Sequence, residues 1–163
     1  MLSVSWSSEF GWRRLLAPIA LLALLGGCDP GFDYRPVDWQ PANERPGWQK
    51  DFDGFRVRIS HLAGLAGSRS VVPEFEVTNL TTTSLVLETA ALRAGAREYE
   101  GTLPRQGEAR WRTVDPGASR HIGVSWQLEA PVLDALGEQP SVTLVFRAGE
   151  RRVPVEVSYR RHQ

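Results

Sequence analysis

From Phe55 onward, apolar positions recur at every second residue. Phe55, Val57 and Ile59 alternate with Arg56, Arg58 and Ser60, the pattern of a strand that buries one face. Val71, Pro73, Phe75 and Val77 repeat it against Glu74, Glu76 and Thr78; Pro73 predicts an edge position or the start of the strand. Residues 85–92 are apolar on both faces for part of their length, which predicts a central strand. A hairpin turn over 92–97 leads into a strand near 97–103. A short strand is predicted over 109–113, with Trp111 inward and Arg110 and Arg112 outward. Asp115-Pro116-Gly117 is a turn in which proline presets the bend and glycine supplies the left-handed dihedrals. Ile122, Val124, Trp126 and Leu128 alternate next, and residues 131–136 predict one helical turn stopped by Gly137. Val142, Leu144 and Phe146, a turn at Ala148-Gly149-Glu150, and Val153, Val155, Val157 and Tyr159 predict a closing hairpin. Seven or eight short strands in roughly 105 residues suit a β-sandwich, with a small β-barrel as the alternative.

The first 27 residues follow a different pattern. Arg13-Arg14 precedes an apolar run from Leu15 to Leu25, which ends in Gly26-Gly27-Cys28. A positive cluster, an apolar stretch and small residues are the parts of a secretory signal peptide. As a helix this run spans about 20 Å, short of a bilayer core of about 30 Å, so a permanent transmembrane helix is disfavoured. Cys28 is the only cysteine, so an exported domain has no intramolecular disulfide and depends on its core.

Leu25, Gly26, Gly27 and Cys28 resemble the lipobox of bacterial lipoproteins: an aliphatic residue, two small residues and the cysteine that is modified. The resemblance implies lipidation of Cys28, cleavage before it and acylation of the new amine, hence a lipid anchor on the periplasmic side of a bacterial membrane. More than one acyl chain gives stable anchoring. Asp29 resembles the signal that retains such proteins in the inner membrane; an ordinary polar linker residue is the other reading.

Pro30, Pro36, Pro41 and Pro46 fall in a stretch without helical or alternating pattern. Residues 28–53 therefore read as a lipidated cysteine and proline-rich tether. Trp39 or Trp48 is expected to dock on the folded part as a lid, because isolated exposed aromatics are costly, with a partner-recognition stretch as the other reading. The division is a signal peptide at 1–27, the tether at 28–53, a β-sandwich at 54–160 and a tail at 161–163. Phe75-Glu76-Val77-Thr78-Asn79, the Asp115-Pro116-Gly117 turn and the final hairpin resemble the immunoglobulin-like domains of bacterial envelope lipoproteins. The fold class is thus all-β, a single immunoglobulin-like β-sandwich of about seven strands. The Cys…Trp…Cys pattern of antibody-type domains is missing.

Composition adds little pull toward a ligand. Formal charge is zero over the chain, and removing residues 1–27 takes Arg13, Arg14 and Glu9 to leave about −1. No global attraction to nucleic acid follows. No nucleophile elbow, zinc-binding His-Glu-x-x-His or phosphate loop occurs. His61, His121 and His162 lie far apart in sequence, so neither a metal nor a cofactor is expected. Asn79-Leu80-Thr81 matches a glycosylation sequon, a coincidence in a bacterial lipoprotein. Two surfaces are candidates for binding. One is the apolar connection at His61, Leu62 and Leu65, which either binds or plugs the core's end. The other is a basic patch of Arg56, Arg58, Arg110, Arg112 and Arg151, either assembled near anionic headgroups or cell-wall polymer or dispersed in cross-strand ion pairs. The expected function is a noncatalytic, membrane-tethered module that binds an envelope protein or supports an assembly. An envelope-structural or anionic-polymer-binding lipoprotein using the arginine face is the alternative. An enzyme would need groups converging from distant strands.

Overall fold

A computed structural model describes residues 31–43, 46–65, 67–103 and 110–162. They form an all-β sandwich of antiparallel sheets. In chain order the strands are β1 (Gly31–Pro36), β2 (Gln40–Pro41), β3 (Trp48–Phe52), β4 (Phe55–Ile59), β5 (Leu62–Leu65), β6 (Ser70–Val71), β7 (Glu74–Asn79), β8 (Leu85–Ala94), β9 (Arg97–Glu100), β10 (Thr113–Val114), β11 (Ser119–Gly123), β12 (Trp126–Gln127), β13 (Ser141–Ala148) and β14 (Arg151–Arg161). One sheet runs β10-β8-β13-β14-β1-β5, with β9 also on β8. The second runs β11-β7-β4-β3-β2, and β12 pairs β6 separately.

Alternation explains which side chains meet between the sheets. Val142, Leu144 and Phe146 of β13 and Val155, Val157 and Tyr159 of β14 are buried from one sheet; Phe55, Val57, Ile59, Phe75 and Val77 are buried from the other. Phe55 meets Phe146 across the interior at 5.4 Å between ring centroids, and Trp126 caps Phe75 edge-on at 6.5 Å. Each such side chain removed from water contributes about 1.5–3 kcal/mol.

The expected tether over 28–53 is corrected for the described residues from 31 onward. Phe32 and Tyr34 are buried while Arg35 is exposed, so β1 has the alternation of a one-sided strand. It lies between β14, where Tyr34 pairs with Arg161, and β5, where Tyr34 pairs with Leu62. Its prolines fall where a missing N–H is tolerated: Pro36 ends β1, and Pro41 ends the edge strand β2. The chain crosses to the second sheet at Val37–Trp39, with Asp38 at a left-handed φ of 63°. Trp39 is buried against Phe52 at 6.1 Å, so it belongs to the core rather than lying over it as a lid. The sandwich therefore includes the described residues from Gly31 onward rather than starting at 54, and its last strand runs through Arg161.

A second correction concerns residues 109–113. Residues 110–112 make a short helical turn and only Thr113–Val114 pair as β10. Trp111 is exposed, not inward. The helical turn expected near 131–136 is present as α1 (Val132–Leu136), ending at Gly137 with φ 64°.

The sandwich has two distinct ends. One carries the start of β1, the end of β5, the β8–β9 turn at Gly95-Ala96, α1 and the end of β14. Tyr34 ties β1 to the residue after α1, donating from Oη to the Gly137 carbonyl at 2.6 Å. The other end gathers the β3–β4 turn at Asp53-Gly54, the 80–84 connection, the Asp115-Pro116-Gly117 turn and the β13–β14 turn at Gly149-Glu150.

Candidate functional site

Cys28 with Leu25, Gly26, Gly27 and Asp29 lies outside the described residues. The remaining expected site residues fall into two groups, and the structure rearranges both.

The connection at His61–Gly67 is not a free loop, because Leu62–Leu65 form β5 on the edge beside β1. Leu62 is buried in the core, which settles its side chain as a plug. Leu65 pairs with Gly31 through the backbone. His61 is exposed and stands edge-on to Trp48 at 6.3 Å. The expected binding loop is therefore a sheet edge with a buried leucine.

The five arginines do not form one patch. Arg56 and Arg58 share the outer face of the five-stranded sheet, since both lie on β4 opposite its buried side. Arg151 sits at the loop end, where it donates to Asp53 at 2.6 Å and ties one sheet's hairpin to the other's. Arg110 lies over the Trp111 ring, 5.1 Å from its centroid. Arg112 is half-buried, with its Nε enclosed and lacking a partner among the described residues. Strand order explains the separation: Arg56 and Arg151 are on different sheets, and the 110–112 turn precedes a third location, β10.

What the register does assemble is a polar row across the five-stranded sheet. Gln49 of β3 is opposite Arg58 of β4, Arg58 is opposite Glu76 of β7, and Glu76 is opposite His121 of β11. Arg58 forms an ion pair with Glu76, both side chains being only 19% exposed. His121 Nε2 approaches the other Glu76 oxygen at 4.0 Å. Beside the row, Arg56 grips Asp51 with two bonds, at 2.5 and 3.1 Å. That hydrogen bond, with the guanidinium's charge, holds the Asp51 carboxyl below its usual range despite some desolvation. Thr78 Oγ1 and Ser119 Oγ are 2.8 Å apart. Gln49, Arg56, Arg58, Glu76 and Thr78, with Ala42 and Asn43, line an open depression of about 310 Å³.

This depression has amide, hydroxyl and paired-charge groups that can exchange hydrogen bonds with a polar partner. Its lining residues hold no cysteine, serine or histidine nucleophile beside a base. Among the described residues no group of three metal-ligating side chains stands together. A second recess of about 500 Å³ lies between the β8–β9 turn and α1, lined mainly by Ala94, Ala96, Ala130, Ala135 and Leu136. Arg97 and Glu129 form an ion pair at this end.

Alternation puts Glu76 and Thr78 on an outward face but does not place them beside Arg58 or Ser119, and Gln49 carries no signal in the sequence. Alternation told which face each residue occupies; only strand pairing tells which neighbours it meets.

No protein-family model matches the chain, and no curated protein matches it. Among solved structures it is similar to a functionally unknown protein from Listeria monocytogenes EGD-e, at 10% identity and a TM-score of 0.49, over 77% of this chain and 86% of that one.

Proposed function

We propose that the chain is a membrane-anchored periplasmic lipoprotein, cleaved before Cys28 and lipidated on its sulfur, whose sandwich is a noncatalytic binding or assembly module of the cell envelope. The observation that carries this reading is Leu25-Gly26-Gly27-Cys28 directly after a charged-then-apolar leader, with no other cysteine in 163 residues. The position of β1, at Gly31–Pro36, agrees with it, because cleavage before Cys28 would remove none of that strand. The likeness to immunoglobulin-like envelope domains, carried by the β7 sequence and the two turns, belongs to the same reading. Asp29 favours the inner membrane.

The polar row on the five-stranded sheet is the surface assigned to a protein partner. Its charges are internally paired, so recognition there rests on hydrogen bonding and shape rather than long-range attraction. The alternative, capture of an anionic polymer by an arginine face, is weakened because Arg56, Arg58 and Arg151 each hold a carboxylate.

The anchor is tested by expressing the full chain in bacteria with labelled palmitate and weighing the mature product. The expected result is label incorporation and a chain that starts at a lipid-bearing Cys28, both lost in Cys28→Ser. An unacylated sulfur, or an uncut leader, in the wild-type product overturns the proposal. For the binding role, a photoreactive residue at Thr78 is expected to give a protein adduct of discrete mass in intact cells. Salt-sensitive retention of the sandwich on peptidoglycan would favour the polymer-binding alternative instead.

A further inference from the structure

We infer that the end of the sandwich bearing Gly31 contacts the lipid headgroups, and that the opposite loop end is held about 35 Å away, facing the periplasm. This rests on the lipid anchor proposed above and adds an orientation to it. The starting observation is the length of chain between anchor and fold. β1 begins at Gly31, three residues after Cys28. Three steps of at most about 3.6 Å keep the start of β1 within roughly 11 Å of the Cys28 Cα. A free tether of 25 residues would have allowed every orientation; this spacing does not.

Both ends mix charged and apolar side chains. At the Gly31 end, the recess between the β8–β9 turn and α1 is walled mainly by alanine and leucine, with Arg97, Tyr99 and Asp134 also lining it. Exposed Arg69, Arg97, Arg160 and Arg161 stand around the same end, with Arg97 and Arg161 close to Glu129 and Glu138. Arginine stems beside small apolar side chains can lie along a headgroup layer, with Arg97 and Arg161 partly neutralised by their carboxylates. The loop end presents Asp53, Asp115 and Glu150, with Arg151 bound to Asp53. Exposed acids stand at both ends, with Glu98, Glu129, Asp134 and Glu138 at the Gly31 end, and exposed Leu80 and Trp111 lie toward the loop end, so the orientation rests on the short connection to β1. Strand β14, 11 residues long, runs from one end to the other, and at about 3.3 Å per residue it sets the separation near 35 Å.

Because the native sulfur is occupied by lipid, an introduced cysteine is the only free thiol, which allows clean labelling. Donor dyes are placed singly through Ala96→Cys at the Gly31 end, Thr82→Cys at the loop end and Glu156→Cys on the outer face of the seven-stranded sheet. Each mature lipoprotein is reconstituted in vesicles of phosphatidylethanolamine and phosphatidylglycerol with an acceptor dye on the headgroups. Energy transfer from Ala96→Cys is expected to be at least about twice that from Thr82→Cys, as an end-to-end separation of about 35 Å requires, with Glu156→Cys between them. A flexible Gly-Ser insertion between Pro30 and Gly31 should erase the difference. Equal transfer at the two ends, strongest transfer from Glu156→Cys, or no effect of the insertion overturns the orientation. Intact mass and vesicle flotation, read on the same samples, report the anchor separately: an acylated, floating protein with the wrong transfer pattern sinks only this inference, whereas an unacylated protein sinks the reading beneath it.

Discussion

Asn79 is the one fully buried polar side chain among the described residues, and its bonds show why it is there. Its Nδ2 donates to the carbonyls of Thr83 at 2.8 Å and Val114 at 3.0 Å, while Oδ1 accepts from the Thr81 backbone and hydroxyl. Its own N–H and C=O bond Ala118 and Gly117. One side chain thus joins the 80–84 connection to the turn after β10, and every polar atom on it is satisfied. The sequon it heads is closed to glycosylation, since the amide nitrogen is enclosed and already committed. Asn79→Ala should destabilise the fold by about 3 kcal/mol, because two carbonyls and a buried N–H lose partners in a site closed to water. Urea unfolding of purified sandwich measures this, with the expectation of a lower midpoint at unchanged slope. Glu88 plays a comparable part on the outer surface, where its two oxygens accept from Arg147 at 2.7 Å and Arg152 at 2.8 Å. Those contacts clamp the closing hairpin to β8.

At the scale of elements, β1 decides where the domain starts. It fills the place between β14 and β5, and with Tyr34 and Phe32 it closes one side of the core. A chain beginning at Gly31 should unfold cooperatively, whereas one beginning at Asp53 should lack a cooperative transition, as thermal unfolding followed by near-ultraviolet circular dichroism will tell. The boundary was hard to read because β1 has only two inward aromatics before Pro36, too short an alternation to stand out among prolines. By contrast, β4, β7, β13 and β14 were legible, since each has at least two inward residues with charged or polar neighbours, whereas the expected run Ile122–Leu128 divides between β11, with only Ile122 buried, and β12 in a separate sheet. β8 hid its face for another reason. Leu85 and Leu87 are buried, then Ala90, Leu92 and Ala94, and the pairing with β13 shifts between Val145 and Phe146. A bulge at Glu88-Thr89 absorbs one residue and keeps both halves pointing inward; read without it, the strand looks apolar on both faces. The polar row of Gln49, Arg58, Glu76 and His121 was illegible for the same class of reason, because it depends on pairings between strands distant in sequence. Along the open part of β14, no strand among the described residues pairs beyond the reach of β1, and Pro154 with Arg152 and Glu156 on that stretch guards it against strand addition.

For the whole molecule, burial and ion pairing together set the pH range over which the sandwich holds. Burial works against the charged form of Glu88, but the hydrogen bonds and charges of Arg147 and Arg152 outweigh it and hold the carboxyl below its ordinary 4.5. Asp51 is lowered in the same direction by Arg56. A carboxyl with a depressed folded value binds protons more readily once unfolded, so its contribution is complete above the ordinary value and is lost as pH falls through the folded one. Tyr159 works from the other side. Its ring is in the core, its hydroxyl has no hydrogen-bond partner among the described residues, and burial pushes it well above its ordinary 10.0. Tyr34 is raised too, by burial first. A phenol raised in this way stays protonated in the fold while the unfolded chain ionises, so stability declines as pH climbs past 10.0. The slope contributed by Tyr159 alone is about 1.4 kcal/mol per pH unit until its folded value is reached. Stability is therefore expected to be level between the two ordinary values and to fall on either side. Tyr159→Phe should flatten the alkaline fall and leave the acid limb unchanged, with a gain of about 1 kcal/mol at neutral pH from removing an unpartnered buried hydroxyl. Glu88→Gln should do the converse, lowering neutral stability and shallowing the acid limb. Urea midpoints across pH separate the two limbs, and an alkaline fall that survives Tyr159→Phe at full slope would assign it to other groups than this ring.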